Sequence, residues 1–457
     1  MIDELSEVIR SVPSADRFPT VDELAASVER LRAEHPDIIT EHRIGTSRLG
    51  EPLSAMRVGD GPRHAIVFGG VHPNEPVGGL TAVHLVRTLA ADAGLRARLG
   101  FTWHVIPCID PDGMRLNEGW FAGPLSWGSY GRAFYRPAPD EQVEWTFPLR
   151  YKRAWFDRVL PETLALMRLI DDTRPALLCS LHNGEYGGVF YYLSRPEPEL
   201  YDTLTAIPAR LGLPLHTGEP EAPCIANYAP GVYGTINVAD EYDYLESHGI
   251  DPVGALAGDS SAAYAARYGA LTLVSEVPYW AHTDADDPAP TAVPYAQLLR
   301  ERVAAVREVY ATLQSVLSTV EGELSVGSPF LRACRSFVPS LDGLATREAE
   351  RAADPAHARP ATVAERFSGE AMLHQMRIRF GGMLLRAIEG EFAIGHATPV
   401  LRRQYALLSR AYDAWALEAE TTTTPHTVPI GDLVAIQYAA ILATAVHLRD
   451  AGRSTST

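Results

Sequence analysis

The chain has 457 residues, 46% of them hydrophobic, and a formal net charge of -17 at pH 7. That is enough apolar chain for a sizeable core or two, while the acidic balance, with a pI near 5.3, disfavours nucleic acid and anionic membranes as partners. The opening Met-Ile-Asp-Glu-Leu-Ser-Glu has no basic region followed by an apolar stretch, so no signal peptide is expected. No uninterrupted apolar run approaches about 18 residues, so no membrane span is expected either. The four cysteines, Cys108, Cys179, Cys224 and Cys334, are sparse and lack paired spacing. They read as reduced thiols, which fits a cytoplasmic location.

In chain order, residues 21 to about 320 alternate strand-like with helix-like segments. The apolar, β-branched or aromatic runs 65–68, 103–109, 176–181 and 271–274 read as buried parallel strands. Helical spacing of apolar residues appears over 77–95, 164–171, 253–268 and 295–317. The alternation predicts an α/β domain with helices on both faces of a mostly parallel or mixed sheet. Residues 120–151, rich in Gly, Pro and aromatics without a period, predict a long pocket-forming loop, and 284–290 another loop.

From about 321 the character changes. Residues 325–362 predict a connector with one short helix, and 363–388, 399–419 and 431–449 predict helices. The threonine run Thr421 to Thr424, closed by Pro425, separates the last two, and the tail after Gly452 is expected to fray. The organisation is therefore an α/β domain, 1–320, and a helical C-terminal extension, 321–457.

Each of the four apolar runs leads into a polar stretch: Gly70-Val71-His72-Pro73-Asn74-Glu75, Asp110-Pro111-Asp112-Gly113, Leu181-His182-Asn183 and Val274-Ser275-Glu276-Val277. In a parallel sheet these stretches gather at one edge, where strands end. A hydrolytic zinc takes three ligands from His, Glu or Asp and keeps one position open for water. His72 and Glu75, three apart, point at one ion if they sit on a helical turn; His182, from another strand, completes the set. Glu276 is then left as a second carboxylate, suited to taking a proton from water.

In these motifs the chain resembles the zinc carboxypeptidases related to carboxypeptidase A, the funnelin metallopeptidases. The resemblance begins at residues 24–31 with His35-Pro36. It continues through Ile44-Gly45-Thr46-Ser47, Gly50-Glu51-Pro52-Leu53 and Gly69-Gly70-Val71-His72-Pro73-Asn74-Glu75-Pro76, and runs to about 320. It implies an eight-stranded mixed sheet between helices, one Zn2+ per chain held by His72, Glu75 and His182, and Glu276 as general base. The family's next motif is Asn-Pro-Asp-Gly, then an arginine that polarises the scissile carbonyl, then an Asn-Arg pair that grips the substrate carboxylate. Here Asp110 replaces the first Asn, and no Asn-Arg pair follows. Arg115 is the choice for polarising the carbonyl, and Arg136 with Asn117 for binding the carboxylate; Arg132 is a neighbour of the same kind.

Several other residues compete for roles. Glu185 makes a second His-x-x-Glu with His182, but Gly184 and Gly187-Gly188 around it suggest a turn, so it is placed outside the ligand set. Asp110 and Asp112 either orient a ligand histidine or shape the Pro-Asp-Gly turn. His64, His84 and His104 read as packing or surface residues, and Tyr228 and Tyr233 as loop tyrosines. The resulting expectation is a metallocarboxypeptidase acting on a peptide or small amide, without nucleic-acid or membrane partners. The C-terminal helices would cover the sheet edge, narrow the pocket or pair two copies of the chain. Two rivals are a zinc amidohydrolase of small N-acyl amino acids, like aspartoacylase or succinylglutamate desuccinylase, and a binding protein without catalysis.

Overall fold

The structure, a computed structural model, describes residues 2–422 and 426–454; Met1, then Thr423, Thr424 and Pro425 of the threonine run, and the last tail residues, 455–457, lie outside it. Its centre is a mixed sheet of nine strands. These are β1 (Ile39–Thr46), β2 (Pro52–Val58), β3 (Arg63–Phe68), β4 (Phe101–Ile106), β5 (Leu177–His182), β6 (Phe190–Leu193), β7 (Asn227–Ala229), β8 (Val232–Gly234) and β9 (Leu271–Glu276). They lie in the order β1-β2-β4-β3-β5-β9-β6-β8-β7. That is one strand more than the resemblance implies, the far edge being finished by a short hairpin.

The four middle strands are parallel, and β5 and β4 are buried at every residue. Continuous apolar runs are what strands covered on both faces require. Alternate residues feed two cores: Val67, Cys179 and Leu181 point into one, and Ile66, Phe68 and Leu178 into the other.

The helices that cover the sheet and frame the site are α1 (Ile2–Arg10), α2 (Val21–Glu34), α3 (Val77–Ala91), α4 (Pro161–Thr173), α5 (Tyr295–Val320), α6 (Pro329–Ala353), α7 (Val363–Ala393), α8 (Pro399–Thr422) and α9 (Ile430–Ser454). α2, α3 and α9 cover one face of the sheet, and α4 the other. α5, α6, α7 and α8 pack on one another, and α7 also touches the helix Trp127–Ala133.

Several segments differ from expectation. The 77–95 helix ends at Asp92, whose Oδ1 accepts from Leu95 N (2.9 Å) and starts a second helix, Ala93–Leu99. Residues 253–268 form two short helices, Pro252–Ala255 and Ser261–Ala266, because the chain between them extends against 145–147. A Cβ at Gly258 would stand 2.4 Å from Phe147 O, so only glycine fits that approach. The expected loop 120–151 carries a helix, Trp127–Ala133, opened by a Ser126 capping box.

The expected connector 325–362 is largely the 25-residue helix α6. Ser328 caps it and Pro329 occupies its first turn, while Leu331, Cys334, Val338, Leu341 and Ala345 form its buried stripe. Pro339, inside that helix, obscures the stripe in the sequence.

The described residues of 321–457 are mostly helical, but they share one hydrophobic cluster with the sheet: Leu433, Ile436 and Ile441 of α9 belong to the same core as Val67 and Leu181. By length and composition, Ile430–Gly452 could cross a bilayer, though no unbroken apolar run of that length exists in the sequence; here most of it is buried against protein.

Candidate active site

Parallel pairing sets the site's geometry. Glu276 is the register partner of His182 on adjacent β9 and β5, so both leave the sheet at the same height. β3 ends one strand away, and its chain turns at Gly70 (φ +66°) to bring His72 over that edge. The turn closes through Glu75 N donating to His72 O (3.0 Å), immediately before α3 begins. A Cβ on Gly69 would meet Gly78 C at 2.5 Å, so two glycines let the turn lie on the helix that follows it.

His72, Glu75, His182 and Glu276 are all buried. One donor atom from each of the first three lies within 4.8 Å of the others. His72 Nδ1 is 3.1 Å from Glu75 Oε1 and 3.1 Å from His182 Nδ1, and His182 Nδ1 is 3.1 Å from Glu75 Oε2. Zinc bonds of about 2.1 Å place tetrahedral ligands about 3.4 Å apart, so the donors stand close to the spacing that a shared ion imposes. Two imidazole nitrogens facing each other at this distance also need a proton or a cation between them. The donor set fits zinc. Ser180 Oγ, two residues earlier on the same strand face, lies 2.8 Å from His182 Nε2 and fixes the ring with Nδ1 toward the cluster.

Glu276 Oε1 stands 3.7 Å from His182 Nδ1. Burial, with the charges of Glu75 and Glu221 adding to it, holds Glu276 well above the usual carboxylate range. Burial would do the same to Glu75, but His72 and His182 outweigh it and hold that carboxyl well below. Burial and then Arg136 push His72 down to about 3. For His182 burial is outweighed by Glu75, Glu276 and Glu144, which push it up to about 9.

The substrate residues expected from the sequence divide. Arg136 reaches the cluster, its Nη1 3.2 Å from Glu75 Oε1. Arg115 does not: its guanidinium pairs with Asp22 (2.7 Å) and Glu51 (2.9 Å), away from the cavity. Asn117 is fully buried as a brace, donating to Tyr135 O (2.9 Å) and accepting from Tyr135 N (2.9 Å), so it holds the loop that carries Arg136. Arg132 pairs with Glu389 (2.5 Å). Asp110 accepts from Gly113 N and Asp112 from Ser47 Oγ and Leu49 N, so both shape turns. Glu185 is tied to Arg379 of α7 (2.6 Å) and to Tyr130, outside the cluster of donors. His64 and His104 meet each other at 3.0 Å, and His84 packs on Tyr438. Tyr233 donates to His216 O, and Tyr228 stacks on Tyr201.

The cluster opens into a cavity of about 600 Å³, walled by residues 136–145, by 216–222 and by α7. Two contributors were not anticipated from sequence. Glu144 sits in the wall near His182, and no short motif marks it. Gln437, fully buried on α9, donates to His182 O (2.7 Å) and Ser275 O (3.4 Å), and its Oε1 accepts from Thr81. It ties the ends of β5 and β9 together from 255 residues away from His182.

Residues 24–133 match the model of the zinc carboxypeptidase family. That segment is similar to zinc carboxypeptidase sequence. It includes His72 and Glu75; His182 and Glu276 lie beyond it. Zinc carboxypeptidase A 1 of Anopheles gambiae is 27% identical over 122 residues, covering 25% of this chain and 28% of that protein, so the chain spans little more than a quarter of this relative's length. Among solved structures, the carboxypeptidase A of Helicoverpa armigera is 16% identical, covering 62% of this chain and 72% of that one at a TM-score of 0.40. The murein-tripeptide amidase of Escherichia coli O157 is 22% identical, covering 54% and 87% at a TM-score of 0.28.

Proposed function

We propose that the chain is a zinc-dependent amide hydrolase of the metallocarboxypeptidase type, with His72, Glu75 and His182 holding one zinc ion and Glu276 as general base. The observation that carries this reading is the convergence of three buried donors, with a fourth buried acid 3.7 Å from one of them. When bound, zinc supplies a Lewis acid for the scissile carbonyl and lowers the pKa of a water molecule.

Glu276 takes the proton from the attacking water and returns it to the leaving nitrogen. Its carboxyl, buried and 3.7 Å from His182 Nδ1, stands close enough to the cluster for both transfers. Arg136 sets a fixed positive charge beside the cluster, where the carbonyl oxygen gains negative charge. It thus takes the carbonyl role that the sequence assigns to Arg115. Ser180 and Gln437 hold His182 by its ring and by its backbone.

A small-molecule amidase is the second reading, since its ligand set is the same. α7 favours it, because Ser368, Met372 and Phe380 wall the cavity and shorten the space for a peptide.

Metal analysis of purified Glu276→Gln and His182→Ala tests the assignment. Glu276→Gln keeps one zinc per chain and loses turnover by about 10²- to 10⁴-fold, whereas His182→Ala loses the metal. Equal turnover in wild type and Glu276→Gln ends the general-base role. Release of a C-terminal residue from peptides, assayed beside cleavage of small N-acyl amides, separates the two readings.

A further inference from the structure

Three of the strand-end motifs carry a second polar residue beside the one that reaches the cluster. Asn74 stands between His72 and Glu75, Glu185 three residues after His182, and Tyr279 three residues after Glu276. The fold brings these three together as well. Residues 280–281 pair in parallel with 186–187, so Tyr279 and Glu185, one residue earlier on each segment, come side by side. Asn74 lies against both: Tyr279 OH donates to Asn74 O (2.8 Å), and Asn74 Nδ2 donates to Glu185 Oε1 (3.4 Å). Glu185 also accepts from Tyr130 OH and from Arg379 Nε of α7 (2.8 Å).

Asn74, Glu185, Tyr130 and Tyr279 are all fully buried. Aromatic rings enclose them, with Trp120 centred 4.9 Å from Tyr130 and 5.5 Å from Tyr279, and Phe18 5.8 Å from Tyr279. A polar group that loses its partner in such surroundings finds no water to replace it, so these bonds favour one arrangement strongly. The turn that carries His72 and Glu75 has little else to fix it. Pro73 and Pro76 have no backbone N–H to give, and no side chain caps the start of α3. Apart from the contacts of the His72 and Glu75 side chains, the hydrogen bonds that tie 72–76 to the described chain outside the turn and α3 are those of Asn74. The bond from Tyr279 is the shorter and stronger of the two.

We infer that Asn74 is a positioning residue of the metal centre: Tyr279 and Glu185 grip it and so set the turn that aims His72 and Glu75 at one ion, while Arg379 fixes Glu185. The inference rests on the zinc reading of the three donors. It adds that the aim of two of them depends on Tyr279, which does not line the cavity and whose hydroxyl is spent on Asn74 O. Ligands held in place before the ion arrives bind it without reordering the chain, so a loosened grip weakens the site without abolishing it.

The test is Tyr279→Phe, which removes the hydroxyl and keeps the ring. Tyr191→Phe is its matched control, because the Tyr191 hydroxyl is buried without a hydrogen-bond partner among the described residues. Competition with a chelator measures zinc affinity, the absorption of the cobalt(II)-loaded protein reports ligand geometry, and melting of the EDTA-treated protein reports the fold. Tyr279→Phe is expected to weaken zinc binding at least about tenfold and to change the cobalt spectrum, whereas Tyr191→Phe matches wild type in both. Asn74→Ala cuts the other arm and takes the place of Tyr279→Phe should that variant not fold; the same two changes are expected of it. Wild-type zinc affinity and cobalt spectrum in the folded variant would overturn the positioning role, as would an equal loss in Tyr191→Phe. Wild-type protein that holds zinc without turning over any amide would end the hydrolase reading alone, and wild-type protein that binds no zinc would end both.

Discussion

The middle of the sheet and the C-terminal helices build the same site by opposite means. β3, β5 and β9 deliver His72, His182 and Glu276 from short local motifs at strand ends, each recognisable where it stands. α7 and α9 contribute single side chains, Arg379 and Gln437, that only the tertiary fold brings near. The first region sets what chemistry is available. The second sets how firmly the reactive groups are held, and α7 also limits the room beside them. A residue count outside the family-like core is thus a poor guide to what an extension does.

Perturbing the second region tests whether it is part of the site or only its cover. Arg379→Met leaves Glu185 buried without its cation, at a cost of about 3–5 kcal/mol. It should show as a large fall in the denaturation midpoint; an unchanged midpoint would make α7 a passive wall. Gln437→Leu strands the carbonyls of His182 and Ser275 and should cost about 1–3 kcal/mol. Because it frees the backbone of one ligand, it should also weaken zinc binding by about tenfold, measured by competition with a chelator. Loss of stability with unchanged zinc affinity would reduce Gln437 to a packing residue.

Acid should loosen the seam between the two regions. His84 of α3 packs edge-on to Tyr438 of α9, with ring centroids 4.6 Å apart. Burial, helped by Arg87, pushes it down to about 4. The unfolded chain protonates this histidine near pH 6.5, so its contribution is complete above about 6.5 and is lost as pH falls toward 4. Melting temperatures between pH 7 and 4.5 should fall more steeply in wild type than in His84→Gln. The smallest effect belongs to Arg115→Ala. This removes half-exposed ion pairs worth about 0–1 kcal/mol, and turnover should match wild type. A loss of turnover would return Arg115 to the carbonyl role.

The contrast also explains what the sequence reveals. The four middle strands were legible because burial on both faces leaves an apolar run, and a polar motif follows each one. Arg115 misled because it follows Asp-Pro-Asp-Gly, whereas its partners Asp22 and Glu51 lie 93 and 64 residues earlier. Asn117 looked like a ligand-binding amide, yet its hydrogen bonds are spent on Tyr135. α6 was hidden by Pro339, although its apolar stripe has helical spacing. Glu144 and Gln437 had no local signature, since their roles depend on partners such as Ser261 and His182 elsewhere in the chain.

The position of α9 has a consequence for biosynthesis. This helix is translated after every strand it covers, yet its glutamine bridges two of the strand ends that carry the reactive groups. A nascent chain can pair its strands early, but the carbonyls of His182 and Ser275 gain their glutamine bridge only after this helix has emerged from the ribosome.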